Sequence, residues 1–94
     1  MNDAESCRAD VWLWRARFFK TRALAAKHLE AGRIRLIRSG QESRLEKPAR
    51  PLKVGDRLVF ALGGRLVAVQ VDALGERRGP AEEARTLYST LERS

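Results

Sequence analysis

The 94-residue sequence has one cysteine, one histidine and no long apolar segment. The single cysteine, Cys7, cannot form an internal disulfide or build a metal site by itself. The longest apolar stretches are far shorter than the roughly 20 residues that a membrane helix needs. Asp3 and Glu5 stand where a secretion signal would have basic and apolar residues. We therefore expect a cytoplasmic protein without a membrane partner.

The residue patterns of common enzyme sites are also missing from the sequence. There is no glycine-rich nucleotide loop, no zinc-ligand spacing and no set of residues that would make a nucleophile triad. The only histidine, His28, lies in a helical pattern, where a lone histidine is more often a surface or packing residue than a ligand. We therefore expect no catalytic residue, no metal and no cofactor, and a protein that is not an enzyme.

Positive charge is abundant but unevenly distributed. The chain carries a net charge of +7, yet residues 8–53 contain 13 basic and 4 acidic residues, a net charge of +9. Residues 54–94 contain six of each sign, and residues 1–7 contribute −2. Most of the basic residues in 8–53 are arginines, whose planar guanidinium binds phosphate at two points and stacks on bases. A basic half joined to a neutral half indicates one charged face and favours nucleic-acid binding.

Two helices are predicted in the basic half. One helical stripe is formed by Ala9, Trp12, Leu13 and Ala16, which predicts a first helix over residues 8–17. Thr21 precedes a run of good helix formers, and Gly32 follows it, so a second helix is predicted over residues 21–31. Trp14 lies off the apolar stripe, and its position fits both base stacking and closure of the core.

Strands are predicted after the second helix. Residues 33–36 alternate charged and apolar side chains, whereas residues 41–53 are polar with two prolines and are predicted to form a loop. Gly63-Gly64 divides two apolar runs, which predicts a β-hairpin within residues 54–75. The spacing of Ala84, Leu87, Tyr88 and Leu91 predicts a closing C-terminal helix over residues 79–92.

The predicted fold class is α+β in a single domain, residues 1–94. Two N-terminal helices and a strand form a basic motif over residues 8–53, the candidate for nucleic-acid binding. The β-hairpin then belongs to a small, mainly antiparallel sheet, and the C-terminal helix closes the domain. Within the motif, the basic residues around the helix junction and the amides that open the second helix would together hold a phosphate. Asp10 is expected to pair with a neighbouring arginine and orient it.

The stretch from Arg8 to Ala25 resembles the opening of the ribosomal protein S-four type RNA-binding domain. More narrowly, it resembles the heat shock protein fifteen family, and the likeness continues through residues 32–35, 47–50, 53–56, 76–81 and 87–88. The resemblance implies an α-α-β motif that binds structured RNA, with ribosomal RNA as the first candidate. It further implies binding to large ribosomal subunits that carry a stalled nascent chain on transfer RNA, and their recovery after stress.

The resemblance also implies which residues face the RNA. Carried over by position, they are Arg8, Arg15, Arg17, Lys20, Thr21, Arg22, Lys27, Arg33, Arg35, Lys47 and Arg50. Trp14 is added from its position off the apolar stripe. Two alternatives stay open: an S-four type module that binds transfer RNA or another translation RNA, and a DNA-binding regulator built on two short helices. We expect a monomer.

Overall fold

The structure is a computed structural model that describes residues 5–91. Its helices and strands follow one another in a single α+β arrangement, as the sequence predicts. In chain order they are β1 (Cys7–Arg8), α1 (Ala9–Arg15), α2 (Arg22–Glu30), β2 (Ile34–Arg38), β3 (Gln41–Leu45), β4 (Pro51–Leu52), β5 (Arg57–Leu62), β6 (Arg65–Val71), α3 (Ala81–Ala84), a 3-10 turn (Arg85–Leu87) and β7 (Tyr88–Thr90).

The two N-terminal helices begin and end where local chemistry favours it. In α1 the predicted stripe is buried, and Trp12 and Leu13 are fully inaccessible to solvent. Thr21 caps α2, because its hydroxyl oxygen accepts a hydrogen bond from the Leu24 amide at 3.1 Å. Gly32 follows the end of α2 with φ of 73°, in the left-handed region that glycine adopts without a steric penalty.

The main sheet has five antiparallel strands in the order β3-β2-β5-β6-β7. The predicted hairpin joins β5 to β6, and Gly63 and Gly64 both have positive φ between the paired residues Leu62 and Arg65. Two positive φ values in a two-residue loop are the geometry that matches the twist of the flanking strands. The hairpin prediction is confirmed, and the hairpin supplies the centre of the sheet.

The core lies between the helices and one face of this sheet. The inward side chains of three strands meet α1 and α2; they are Ile34, Leu36, Leu58, Phe60, Val69 and Val71. An aromatic cluster closes one side of the core, with the Phe18 ring 5.5 Å from that of Phe60 and 4.7 Å from that of Tyr88. Burial of this apolar surface holds the helices in a fixed position on the sheet.

The prediction of a continuous loop over residues 41–53 is wrong. Residues Gln41–Leu45 form an edge strand, and Pro51–Leu52 pair with Cys7–Arg8 in a second, two-stranded sheet. Only Leu45 of the edge strand is buried, so its sequence lacks the apolar alternation by which strands are recognised. Ser39 and Gly40 turn the chain back with φ of 53° and 77°, which brings these polar residues alongside β2.

The closing helix is much shorter than predicted. Helix α3 covers only Ala81–Ala84 and continues as a 3-10 turn, after which Tyr88–Thr90 pair with β6. The outer edge of β6 offers unpaired backbone groups, and hydrogen bonds to that edge replace those of further helical turns. A one-turn helix has little cooperativity to oppose this exchange. Residues 92–94, at the end of the predicted helix, lie outside the described residues.

The turn before β5 is held by a buried carboxylate. Asp56 is 3% exposed, and its oxygens accept hydrogen bonds from the Arg38 guanidinium at 2.7 and 2.8 Å and from the Lys53 amide at 2.8 Å. The hydrogen bond to Asp56 is also the main reason that the pKa of Arg38 lies above its usual value. This arrangement links β2 to the turn that positions β5.

Replacing Asp56 by alanine is expected to lower the free energy of unfolding by about 2–4 kcal/mol, because a buried ion pair loses one partner and the Lys53 amide loses its acceptor. Urea unfolding followed by circular dichroism measures the change. Glu42→Ala is the matched control, since Glu42 pairs with Arg35 between two half-exposed side chains. A loss as large in E42A as in D56A would contradict the special role of the buried carboxylate.

Candidate nucleic-acid interface

The junction between α1 and α2 presents basic side chains to solvent. Lys20, Arg22 and Lys27 are exposed, and none of them makes an ion pair within residues 5–91. The side chain of Thr21 satisfies the Leu24 amide, and Arg22 begins the helix beside it. Cationic side chains around the start of a helix favour an anionic ligand such as a phosphate.

The structure brings Lys27 and Arg33 together. Both line a shallow groove of about 340 Å³, with Leu24 and Phe19 on its apolar floor. Leu24 is 47% exposed in this groove. The positive surface therefore runs from the helix junction along α2 to the residue that precedes β2.

Arg35 does not line this groove. It alternates with the buried Ile34 and Leu36 and therefore points to the sheet face away from the core. There it forms an ion pair of 3.1 Å with Glu42, and both side chains are half exposed. Such a pair contributes little to stability, so a phosphate can compete for the guanidinium.

A second group of predicted residues meets at the start of α1. The Arg8 guanidinium donates to both oxygens of the buried Asp10, at 3.0 and 3.1 Å, which confirms that Asp10 pairs with a neighbouring arginine. These hydrogen bonds raise the pKa of Arg8. The amides of Ala9 and Asp10 donate to the carbonyls of Arg50 and Pro48, at 2.9 and 3.1 Å. The segment that carries Lys47 and Arg50 therefore lies against the start of α1, beside Arg8.

Two predicted RNA-facing arginines bind backbone atoms instead. The Arg15 guanidinium donates to the carbonyls of Leu74 and Gly75 at 3.2 and 2.8 Å, and its Nε is buried. Arg17 has φ of 67°, and its Nε donates to the Gly79 carbonyl at 2.7 Å. Both arginines fasten the connector between β6 and α3, residues 72–80, to α1. Arg15 is half-buried, whereas Arg17 is exposed beside its anchor.

Comparison with known proteins identifies the family to which this chain belongs. The chain is 41% identical over 85 residues to heat shock protein 15 of Escherichia coli K12, which covers 90% of this chain and 60% of the relative. It is 33% identical to the RQC P-site tRNA stabilizing factor of Bacillus subtilis, over 89% of this chain and 91% of that protein. The trimeric structure of Vibrio cholerae heat shock protein 15 matches with a TM-score of 0.81 and 32% identity, over 93% of this chain and 83% of that one.

The chain belongs to the heat shock protein 15 family. The match to the solved structure confirms the α+β fold. No family model matches the chain. The chain spans about 60% of the length of the E. coli heat shock protein 15 that it matches.

One residue of this family member that sequence reasoning left out is Arg78. Its guanidinium carbon lies 6.0 Å from the centre of the Trp14 ring, and its Nε donates to the Trp14 carbonyl at 3.1 Å. The Arg77-Arg78 pair was part of the resemblance, but no pattern in the sequence shows that it meets α1, 64 residues away. Trp14 itself is half-buried, in contrast to the fully buried Trp12.

Within residues 5–91 this family member has no helix long and apolar enough to cross a bilayer. The same residues contain no cluster of three or more histidine, cysteine, aspartate or glutamate side chains arranged to hold a metal ion.

The cap on α2 gives a direct test of how the helix junction is ordered. Thr21→Ala is expected to lower the free energy of unfolding by about 1 kcal/mol, because the Leu24 amide loses its acceptor. Thr21→Ser keeps the hydroxyl oxygen and should restore most of the stability. Thermal unfolding of the three proteins measures both effects, and equal losses in the alanine and serine variants would show that the methyl group matters rather than the cap.

Proposed function

We propose that this protein binds ribosomal RNA on large ribosomal subunits that carry a stalled nascent chain, and that it aids their recovery after stress. The observation that carries the proposal is the run of exposed basic side chains from the helix junction to Arg33, which have no acidic partner among residues 5–91. These residues neutralise phosphates, and phosphate contacts supply most of the affinity for structured RNA.

Family membership supports the ribosome as the site of action. The Bacillus subtilis relative is named for stabilising transfer RNA in the P site. A transfer RNA in that site that still carries its nascent chain is what a stalled large subunit presents. Binding there requires no catalytic group, which agrees with a sequence that lacks the patterns of enzyme sites. A protein that acts on the ribosome would work in the cytoplasm, which is part of the proposal.

The surface fits RNA shape better than a DNA sequence. Helix α2 is rich in alanine and offers few side chains for reading base edges beyond Arg22, Lys27 and His28. The His28 ring packs 5.1 Å from Phe19 and lies 3.2 Å from the Ala61 carbonyl, so it is already engaged. A helix that offers phosphate contacts and few base contacts recognises backbone geometry, as proteins do with folded RNA.

Transfer RNA is the second candidate ligand, favoured by the name of the Bacillus subtilis relative. The basic groups lie at two places, the helix junction and the start of α1 beside residues 47–50. Two such places suit two segments of RNA, one of which would be transfer RNA held on the subunit.

Binding of the purified protein to isolated large subunits, small subunits and duplex DNA across a salt series tests the proposal. We expect selective binding to large subunits that persists at moderate salt, and tighter binding when they carry peptidyl transfer RNA. Equal binding to all three ligands, lost at the same low salt, would contradict the ribosomal role and leave only general nucleic-acid binding.

A further inference from the structure

Trp14 is separate from the aromatic core. Trp12 is fully buried, and its indole nitrogen donates to the Ala73 carbonyl at 2.9 Å. Trp14 is half-buried, its ring pairs with no other aromatic ring, and its indole nitrogen makes no hydrogen bond within residues 5–91. Trp14 therefore has both an aromatic surface and an N–H donor that are available to a ligand.

Arg78 is held over Trp14 by the backbone. Its Nε donates to the Trp14 carbonyl at 3.1 Å, which keeps the guanidinium 6.0 Å from the centre of the indole ring. The terminal nitrogens of Arg78 have no hydrogen-bond partner within residues 5–91. The neighbouring Arg77 differs, because it forms an ion pair of 2.7 Å with Glu83 that also raises the pKa of Arg77.

Arg17 and Arg78 each bind a backbone carbonyl in the segment that carries the other. Arg17, two residues after α1, donates from Nε to the carbonyl of Gly79 at 2.7 Å, while Arg78 donates from Nε to the carbonyl of Trp14. Each guanidinium is bound through Nε, and its two terminal NH₂ groups have no hydrogen-bond partner among residues 5–91. Because the anchors are backbone atoms, each hydrogen bond restricts the guanidinium to the neighbourhood of the segment that accepts it.

We infer that Trp14, Arg78 and Arg17 form a binding site for one unpaired nucleotide of the RNA. The inference rests on the proposed RNA binding and names a part of the RNA that the basic surface alone does not specify. The base stacks on the exposed part of the indole, and the free NH₂ groups of the arginines bind the adjoining phosphate. Unpaired bases are what proteins stack on aromatic side chains when they bind RNA, because bases in a helix are inaccessible.

Two RNAs that differ only in an unpaired segment test the inference. One is a fully paired hairpin, and the other is the same hairpin with a single-stranded adenine extension of about five nucleotides, within the length that a single-strand site covers. Fluorescence anisotropy of the labelled RNAs with the full chain gives both affinities. The wild type is expected to bind the extended hairpin about tenfold more tightly, the contribution of one stacked base.

The preference for the extension, rather than the affinity itself, is the quantity to compare among variants. Trp14→Ala and Arg78→Ala should each reduce the preference to about twofold or less. The affinity for the paired hairpin should be nearly unchanged, because that RNA has no unpaired nucleotide to occupy the site. Trp14→Phe keeps an aromatic face and should retain most of the preference. Arg77→Ala is the matched control, since Arg77 is occupied by Glu83, and it should behave as the wild type.

Trp14→Ala changes a residue of α1, so circular dichroism must show that its fold is intact. Arg78→Ala tests the same preference in a protein whose α1 sequence is unchanged. Equal wild-type affinity for the two RNAs, or no binding to either, overturns the inference, and so does a full preference in Arg78→Ala. If the preference is present but large subunits are not selected, the nucleotide site stands and the ribosomal function fails. If the protein selects large subunits but does not prefer the extended hairpin, the ribosomal function stands and the nucleotide site fails.

Discussion

Lys20→Glu combined with Arg22→Glu is expected to weaken binding to isolated large ribosomal subunits by about 100-fold or more at moderate salt, since two phosphate contacts are replaced by repulsion. Both side chains are exposed, and neither makes an ion pair within residues 5–91, so the fold does not depend on their charge. Co-sedimentation with subunits at several salt concentrations measures the loss. The salt dependence of the remaining binding should become shallower, because fewer counterions are released.

Arg65→Glu combined with Arg85→Glu is the matched control for this charge reversal. It changes the net charge by the same amount, and both arginines are exposed in the half of the sequence that has no net charge. Its binding is expected to fall by less than about fivefold, since only long-range attraction is lost. If both double variants lose the same affinity, binding depends on total charge and the helix junction is not the interface.

Trp12→Ala is expected to lower the free energy of unfolding by about 3–5 kcal/mol, the usual cost of removing a large buried aromatic side chain. The change also leaves the Ala73 carbonyl without its donor, so the connector after β6 loses one of its attachments to α1. Domains of this size are stable by only about 5–15 kcal/mol, so a large part of the population is expected to unfold at modest urea concentrations. Urea unfolding monitored by far-ultraviolet circular dichroism measures the effect.

Trp14→Ala provides the comparison two residues away. Its side chain is half-buried and contacts Arg78 through a cation–π interaction, so the expected loss is about 1–2 kcal/mol. The two tryptophans are therefore expected to have different roles: Trp12 stabilises the fold, and Trp14 binds the ligand. A larger loss of stability in Trp14→Ala than in Trp12→Ala would show that the division of roles is reversed.

The parts of the structure that the sequence predicts are those formed between near neighbours. The Thr21 cap acts over three residues, the pairing of Arg8 with Asp10 over two, and the Gly63-Gly64 turn joins strands that follow each other directly. The apolar stripe of α1 was also visible, because one helical period exposes it in the sequence. Local hydrogen bonds and side-chain periodicity set these features, and they need no knowledge of the rest of the fold.

The two edge strands form because neighbouring strands pair with them. Residues Gln41–Leu45 bury one side chain, and Tyr88–Thr90 follow a sequence with helical spacing, so neither has a strand pattern of its own. Each becomes a strand because an edge of the sheet offers unpaired backbone groups beside it. Whether a segment pairs with an edge depends on where the fold places that edge, and the segment's own sequence does not contain this information.

The sequence by itself determined the fold class, the two N-terminal helices, the central hairpin and the basic character of residues 8–53. Only the tertiary structure decided what each arginine does. Arg15 and Arg17 fasten a connector that lies about 60 residues further along the chain, and Arg78 crosses in the opposite direction to Trp14. A guanidinium can donate to a backbone carbonyl as well as to a phosphate, so its role depends on which acceptor the fold places within reach.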